Sequence, residues 1–252
     1  MEFVKEFKVK VEGKDLNFNL ILWNTSCKIK PVNKNKEQEF ELLRNEMVDT
    51  QLIPRGIKDK RVLQVMREIP RHEFVPEEIR DAAYEDCALP IGEGQTISQP
   101  FMVAIMTECL KLEGGENVLE VGTGSGYQAA ILGRLAKKVY TIERVDTLAE
   151  RASALLKNLG YSNIEVLVGD GTLGYEKEAP FDGIIVTAGC PEIPRPLIEE
   201  LSDGGRLVLP LGDRFHQILT IVTKQGVEIF TEESIGCVFV PLVGKYGWKE
   251  NL

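Results

Sequence analysis

Residues 118–127 read VLEVGTGSGY: a short apolar run, an acid at Glu120, then glycines at 122, 124 and 126. Glycine reaches positive φ without strain and lets another group come close to the backbone. An apolar helical pattern, YQAAILGRLA, follows at 127–136, so the stretch reads as a strand–turn–helix unit whose turn receives a ligand. The pattern repeats downstream. KVYTIER (138–144), IEVLVGD (164–170), FDGIIVTAG (181–189) and RLVLPLG (206–212) are largely unbroken apolar runs, separated by the helical stretches DTLAERASALLKNLG (146–160) and PRPLIEELSDGG (194–205). Such runs mark strands buried on both faces, and their alternation with helices predicts an α/β fold with a doubly wound, mostly parallel sheet. QILTIVTKQGVEIFTEESIGCVFVPLV (217–243) adds further strands.

Upstream of the turn the chain changes character. Residues 1–36 form a separate extension: EFVKEFKVKV and LNFNLILW alternate in polarity around EGKD and predict a β-hairpin, and the charged KIKPVNKNKEQE reads as a linker. A two-stranded hairpin is marginal alone, which makes the extension a candidate self-association element on an otherwise monomeric chain. Residues 37–252 form the main domain, divided into 37–100, 101–212 and 213–252. In the first of these, Phe40, Leu43, Met47 and Leu52 share a helical face, and Val62, Leu63, Val65, Met66 and Ile69 define a second helix ended by Pro70. Residues 71–100 read as a long loop, too polar for a core strand; ordered loops of that length are usually functional. Residues 101–112 read as a buried helix.

Composition narrows the function. A net charge of −9 argues against a nucleic-acid binder, because neutralising phosphates needs a basic surface. No apolar run is long enough to span a membrane, and the N-terminus lacks a signal-peptide pattern. Five cysteines with no CxxC pair, and only two histidines, His72 and His216, favour a reducing cytoplasm and no metal site.

What the turn binds follows from the spacing. Dinucleotide sites use G-x-G-x-x-G; here Gly122-x-Gly124-x-Gly126 follows an acid two residues upstream. Glu143 ends the next strand, where carboxylates accept hydrogen bonds from ribose hydroxyls. Asp170 ends the third strand, in VGDG, placed for an adenine amino group. This arrangement resembles motif I and its neighbours in the S-adenosylmethionine-dependent methyltransferases of class I, which have a Rossmann-like fold. The resemblance implies S-adenosyl-L-methionine as cofactor, with S-adenosyl-L-homocysteine as product. The expected cofactor residues are Glu120, Gly122, Thr123, Gly124, Ser125 and Gly126, with Glu143, Asp170 and Gly171 on the neighbouring strand ends. Glu120 has a compatible second role, capping the amides of its own turn.

A more specific resemblance runs from Glu39 to the C-terminus. RHEFVP (71–76), YEDCALPIGEGQTISQP (84–100), VGDG (168–171), PFDGIIVTAG (180–189) and GGRLVLPLG (204–212) are similar to signatures of the protein-L-isoaspartate (D-aspartate) O-methyltransferases. GQTISQP is the most specific of these. The extension and Cys87 depart from the family pattern. The resemblance implies that L-isoaspartyl residues of damaged proteins and peptides are the substrates, methylated on the free α-carboxylate. Their succinimide then re-forms from the ester and returns part of the population to aspartate.

The same resemblance points to Ser98 for contact with the substrate carboxylate. On sequence alone a helix-capping role ahead of Pro100 fits Ser98 equally well. Thr96, Ile97 and Gln99 share its loop, and Thr187 and Ala188 end the fourth strand on the substrate side. Cys190 reads as a small buried residue and His72 as a structural histidine; Val240–Leu242 read as core, with the flank of a peptide-binding groove as the other reading. Two rivals use the same fold: a methyltransferase acting on tRNA or a small molecule, and a non-catalytic binding protein. The three glycines and the acids at 120, 143 and 170 speak against the second.

Overall fold

The computed structural model describes residues 36–249 and the strands β1 (Val4–Val11) and β2 (Lys14–Ile21). The chain divides into two compact units, Met1–Pro31 and Val32–Leu252. In the first, β1 and β2 pair antiparallel, Val4 opposite Ile21 and Val11 opposite Lys14, as their alternation predicts. The linker reading at 28–35 lies outside the described residues.

In the second unit, α1 (Lys36–Met47) continues into a π-helical turn, Val48–Leu52. Phe40, Met47 and Leu52 are buried along it, and Leu43 is half-buried. Asp59 caps α2 (Lys60–Glu68), its carboxylate accepting the N–H groups of Arg61 at 2.8 Å and Val62 at 3.2 Å. Such a cap contributes about 1 kcal/mol.

Residues 71–100 are more ordered than the loop expected from their polarity. After two 3-10 turns, Arg71–Phe74 and Glu77–Ala82, the strands β3 (Leu89–Gly92) and β4 (Gln95–Ile97) form a hairpin. The two-residue connection Glu93–Gly94 has φ of 54° and 67°, the positive values that match the twist of paired strands. Leu89, Ile91 and Ile97 point inward and are buried. The hairpin therefore packs one apolar face on the domain while its polar face carries Thr96 to the surface. Helix α3 (Pro100–Leu110) follows.

The main sheet has seven strands: β5 (Asn117–Val121), β6 (Lys138–Glu143), β7 (Ile164–Val168), β8 (Phe181–Val186), β9 (Leu201–Gly212), β10 (Gln217–Gln225) and β11 (Glu228–Cys237). Their spatial order is β11-β10-β9-β8-β5-β6-β7, parallel from β9 to β7, with β10 and β11 antiparallel. Helices α4 (Tyr127–Leu135), α5 (Asp146–Asn158) and α6 (Arg195–Glu199) connect the parallel strands. The chain steps outward from β5 to β7 and returns to β8 on the other side of β5. That reversal opens a crevice at the carboxyl ends of β5 and β8, where open α/β sheets bind ligands.

Two sequence expectations change here. The helix expected over 194–205 is confined to Arg195–Glu199, and β9 starts at Leu201. Lys224 Nζ ends the helix by donating to the carbonyls of Ile198 at 3.0 Å and Leu201 at 2.6 Å. The VFVPLVG segment is not a sheet strand. It makes single bridges, Pro241 to Gly189 and Val243 to Trp248, because Pro241 has no N–H to continue a ladder.

Candidate active site

Gly122 leaves β5 with φ of +98°. A Cβ there would lie 2.5 Å from Thr187 Oγ1, which donates to the Gly122 carbonyl at 2.6 Å. Thr187 thus ties the end of β8 to the turn. Gly126 opens α4, and its missing side chain admits Ala152 and Leu156 of α5, 3.3 and 3.4 Å from where a Cβ would be. It is a packing position and not part of the cleft, a correction to the expected cofactor set. Between them, Glu143 Oε2 accepts the Gly124 N–H at 2.8 Å, Glu143 Oε1 accepts the Val145 N–H at 3.0 Å, and Thr123 Oγ1 is 2.7 Å from Thr141 Oγ1. The turn is tied to its neighbours through these side chains.

The three acids fare differently. Glu143 reaches the cleft. Glu120 is fully buried outside the cleft lining, and neither carboxyl oxygen has a hydrogen-bond partner among the described residues. It does not cap its own turn. Burial pushes its pKa up to about 8, Thr141 opposing the rise and Glu143 adding to it. Asp170 is also outside the lining. Its Oδ1 accepts the Thr172 N–H at 2.9 Å and hydroxyl at 2.7 Å, and its Oδ2 accepts the Lys245 N–H at 2.8 Å. Where the sequence placed an adenine contact, the carboxylate caps a 3-10 turn and fastens the segment after β11. Gly171 beside it does line the cleft.

Another part of the wall is the β4 strand and the residue after it. Thr96, Ile97 and Ser98 line the cleft together with Gln95. The cap of α3 is Gln99 and makes no side-chain cap bond, so the helix-capping role weighed for Ser98 does not apply. Its hydroxyl makes no hydrogen bond to the described residues. Gln99 itself faces away, its amide donating to Asp86 Oδ1 at 2.6 Å and to the Asp86 carbonyl at 3.0 Å; it anchors the loop without lining the cleft. Asp86 is also paired with Arg55 at 3.1 Å. From beneath, Arg71 Nη2 donates to the Ser98 carbonyl at 2.6 Å. Arg71 escaped the sequence reading; RHEFVP marked the stretch but no pattern marked that side chain.

Thr187, Ala188 and residues 240–243 complete the wall. Val240 and Leu242 pack with the core, as expected, and also line the cleft, where Gly189 exchanges backbone hydrogen bonds with them at 2.8 and 2.9 Å. Trp248 Nε1 donates to the Gly189 carbonyl at 3.0 Å and Tyr246 N–H to Thr172 Oγ1 at 3.1 Å. The cleft takes in about 960 Å³ of space, with open solvent at its mouth included. Among the described residues, the charged ones lining it are Glu143 and Arg144. Neither histidine takes part. His72 is stacked on Phe40 at 3.9 Å and bonded to Tyr84 at 2.7 Å; burial, with Arg44 and Arg80, pushes its pKa down to about 4. His216 lies exposed on the β9–β10 turn. Burial also pushes the Cys190 thiol up to about 12, as suits an unreactive core residue.

The residues present fit a cationic nucleoside. The glycine turn and Glu143 flank the cleft, an unpartnered buried carboxyl sits behind it, and no cluster of basic side chains is there to meet a diphosphate. Fold and site together define a methyltransferase of the S-adenosylmethionine-dependent, Rossmann-like class. The model of the protein-L-isoaspartate(D-aspartate) O-methyltransferase family matches residues 29–247, and this chain belongs to that family. The protein-L-isoaspartate O-methyltransferase of Geobacter metallireducens is 56% identical over 210 residues, covering 83% of this chain and 97% of that one. That of Methanoculleus marisnigri is 55% identical over 206 residues, covering 82% and 94%. A solved protein-L-isoaspartate O-methyltransferase superposes with a TM-score of 0.72 at 29% identity, over 81% of this chain and 67% of that one. The Plasmodium falciparum protein, solved in complex with S-adenosyl-L-homocysteine, gives 0.69 at 25% identity, over 79% and 98%. Among the described residues no helix is long and apolar enough to cross a membrane.

Proposed function

We propose that this chain transfers a methyl group from S-adenosyl-L-methionine to the free α-carboxylate of L-isoaspartyl residues in damaged proteins and peptides, with Ser98 at the acceptor carboxylate. The observation that carries this reading is a Ser98 hydroxyl with no partner among the described residues, held on the cleft wall by a loop anchored through Arg71 and Gln99. Gly122, Thr123, Gly124, Ser125, Glu143 and Gly171 hold the cofactor, whose sulfonium supplies an already activated methyl group. Thr187 and Ala188 offer backbone to the peptide, with Thr96 and Ile97 across from them.

A carboxylate with a pKa of about 4 is ionised at neutral pH, so the acceptor needs no general base, in keeping with a cleft lining without histidine. The work of the site is alignment and exclusion of water, and approximation of this kind supplies roughly 7–11 kcal/mol. Ser98 donates to one carboxylate oxygen and leaves the other to react. Five cysteines without a CxxC pair support a reducing cytoplasm, and the N-terminal extension is a candidate self-association element on an otherwise monomeric chain.

The test is methyl transfer from labelled cofactor to an isoaspartyl peptide and its aspartyl twin. Base-labile label on the isoaspartyl peptide alone is expected. Label on RNA instead, or no transfer at all, would sink the reading in favour of another methyltransferase or a binding protein.

A further inference from the structure

Arg71 is fully buried. Its Nε donates to the Ala83 carbonyl at 2.7 Å and its Nη2 to the Ser98 carbonyl at 2.6 Å. Its Cζ lies 4.9 Å from the centre of the Tyr127 ring, and Tyr127 lines the cleft beside Ser98. Nη1 is buried with no hydrogen-bond partner, and no carboxylate among the described residues pairs with the guanidinium. Of the groups facing it, Tyr127 and Tyr84 have their phenol pKa values raised by burial and are neutral at physiological pH. A positive charge is thus held without a carboxylate partner among the described residues, directly behind the wall that carries Ser98.

Tying two loops together explains two of its bonds but not the charge. A neutral donor serves a carbonyl as well, whereas burying an uncompensated ion is costly. The cost is offset where an anion arrives next to it. The anion admitted at Ser98 is the substrate carboxylate, so we propose that Arg71 is a specificity-determining, positioning residue: its buried charge makes the cleft select the ionised α-carboxylate over neutral groups of the same shape. This rests on the placement of that carboxylate at Ser98.

The chemistry sets the sign. On methyl transfer the carboxylate oxygen forms a bond to carbon, the carbon–sulfur bond breaks with its electron pair left on sulfur, and both charges vanish. An attraction to the acceptor anion is strongest before reaction and absent from the neutral ester. Arg71 therefore lowers KM without raising kcat, and its pull ends when the ester forms, which favours product release.

The experiment compares the wild-type chain with Arg71→Gln and Arg71→Lys. It measures kcat and KM for an isoaspartyl peptide, and inhibition by the same peptide with an α-carboxamide in place of the carboxylate. Arg71→Gln is expected to raise KM about tenfold or more, a change of about 1.4 kcal/mol, with kcat maintained and carboxamide binding unchanged. Arg71→Lys is expected to keep the preference for carboxylate. Equal weakening of carboxylate and carboxamide ligands, or a fall in kcat at constant KM, overturns the proposal and leaves Arg71 a loop tie. Should Arg71→Gln not fold, a wild-type preference for carboxylate below tenfold overturns it equally. Ser98→Ala keeps the experiment separable: if that variant matches wild type in every parameter, the Ser98 placement fails, whatever Arg71→Gln shows about charge.

Discussion

The Thr187 hydroxyl donates to the Gly122 carbonyl at 2.6 Å and occupies the space that a Cβ on Gly122 would need. Gly122→Ala therefore combines a φ of +98° with a contact of 2.5 Å. The expected cost is about 1–3 kcal/mol of stability, with a loss of cofactor affinity as the turn shifts. Thermal unfolding and calorimetric titration with S-adenosyl-L-homocysteine check this; an alanine variant that binds normally would show the contact to be yielding.

Ser98 and Glu143 line the cleft from different elements and should separate kinetically. Ser98→Ala is expected to lower turnover by roughly tenfold to a hundredfold, the value of one charge-assisted hydrogen bond, with little change in cofactor affinity. Glu143→Ala should mainly weaken the cofactor, losing the carboxylate that accepts the Gly124 and Val145 amides. Steady-state kinetics with each substrate varied distinguishes the two; the same pattern from both variants contradicts the assignments.

Asp170 bonds to Thr172 and Lys245 at once. Asp170→Ala should cost about 1–2 kcal/mol and loosen the segment around 240–248 before the sheet. Hydrogen exchange reads this directly: faster exchange confined to that segment is expected, and unchanged protection there would refute the fastening role.

Glu120 makes stability depend on pH. Its folded pKa of about 8 lies above an unfolded value of about 4.3. Between these the folded chain holds the extra proton, so stability contributed by this group is full below about pH 4.3 and is lost as pH rises toward 8. Glu120→Gln, neutral throughout, should flatten that slope and gain on the wild type by a few kcal/mol at most near pH 8. Denaturant midpoints of the two proteins that run parallel from pH 5 to 8 would contradict a buried neutral carboxyl.

Much of this site is legible in the sequence where local chemistry decides. Gly122 and Gly124 after a strand, Glu143 at the next strand end and Gln95–Ser98 of GQTISQP fall on the same cleft. What the sequence hid depends on distant partners. Asp170 is drawn off by Lys245, 75 residues away, and Arg71 gains its meaning from Ser98, 27 residues away. The β3–β4 hairpin was concealed by its polar face, although Glu93–Gly94 is a recognisable two-residue turn. Gly126 shares its spacing with Gly122 yet serves α5, since periodicity does not say which side of a turn a ligand occupies.

The wall at 240–243 joins the cleft more than a hundred residues after the glycine turn. A chain folded only through β5, β6 and β7 has the motif but no enclosure. Retention of the adenosyl ligand thus doubles as a gauge of global assembly, reporting whether both halves of the sheet have come together.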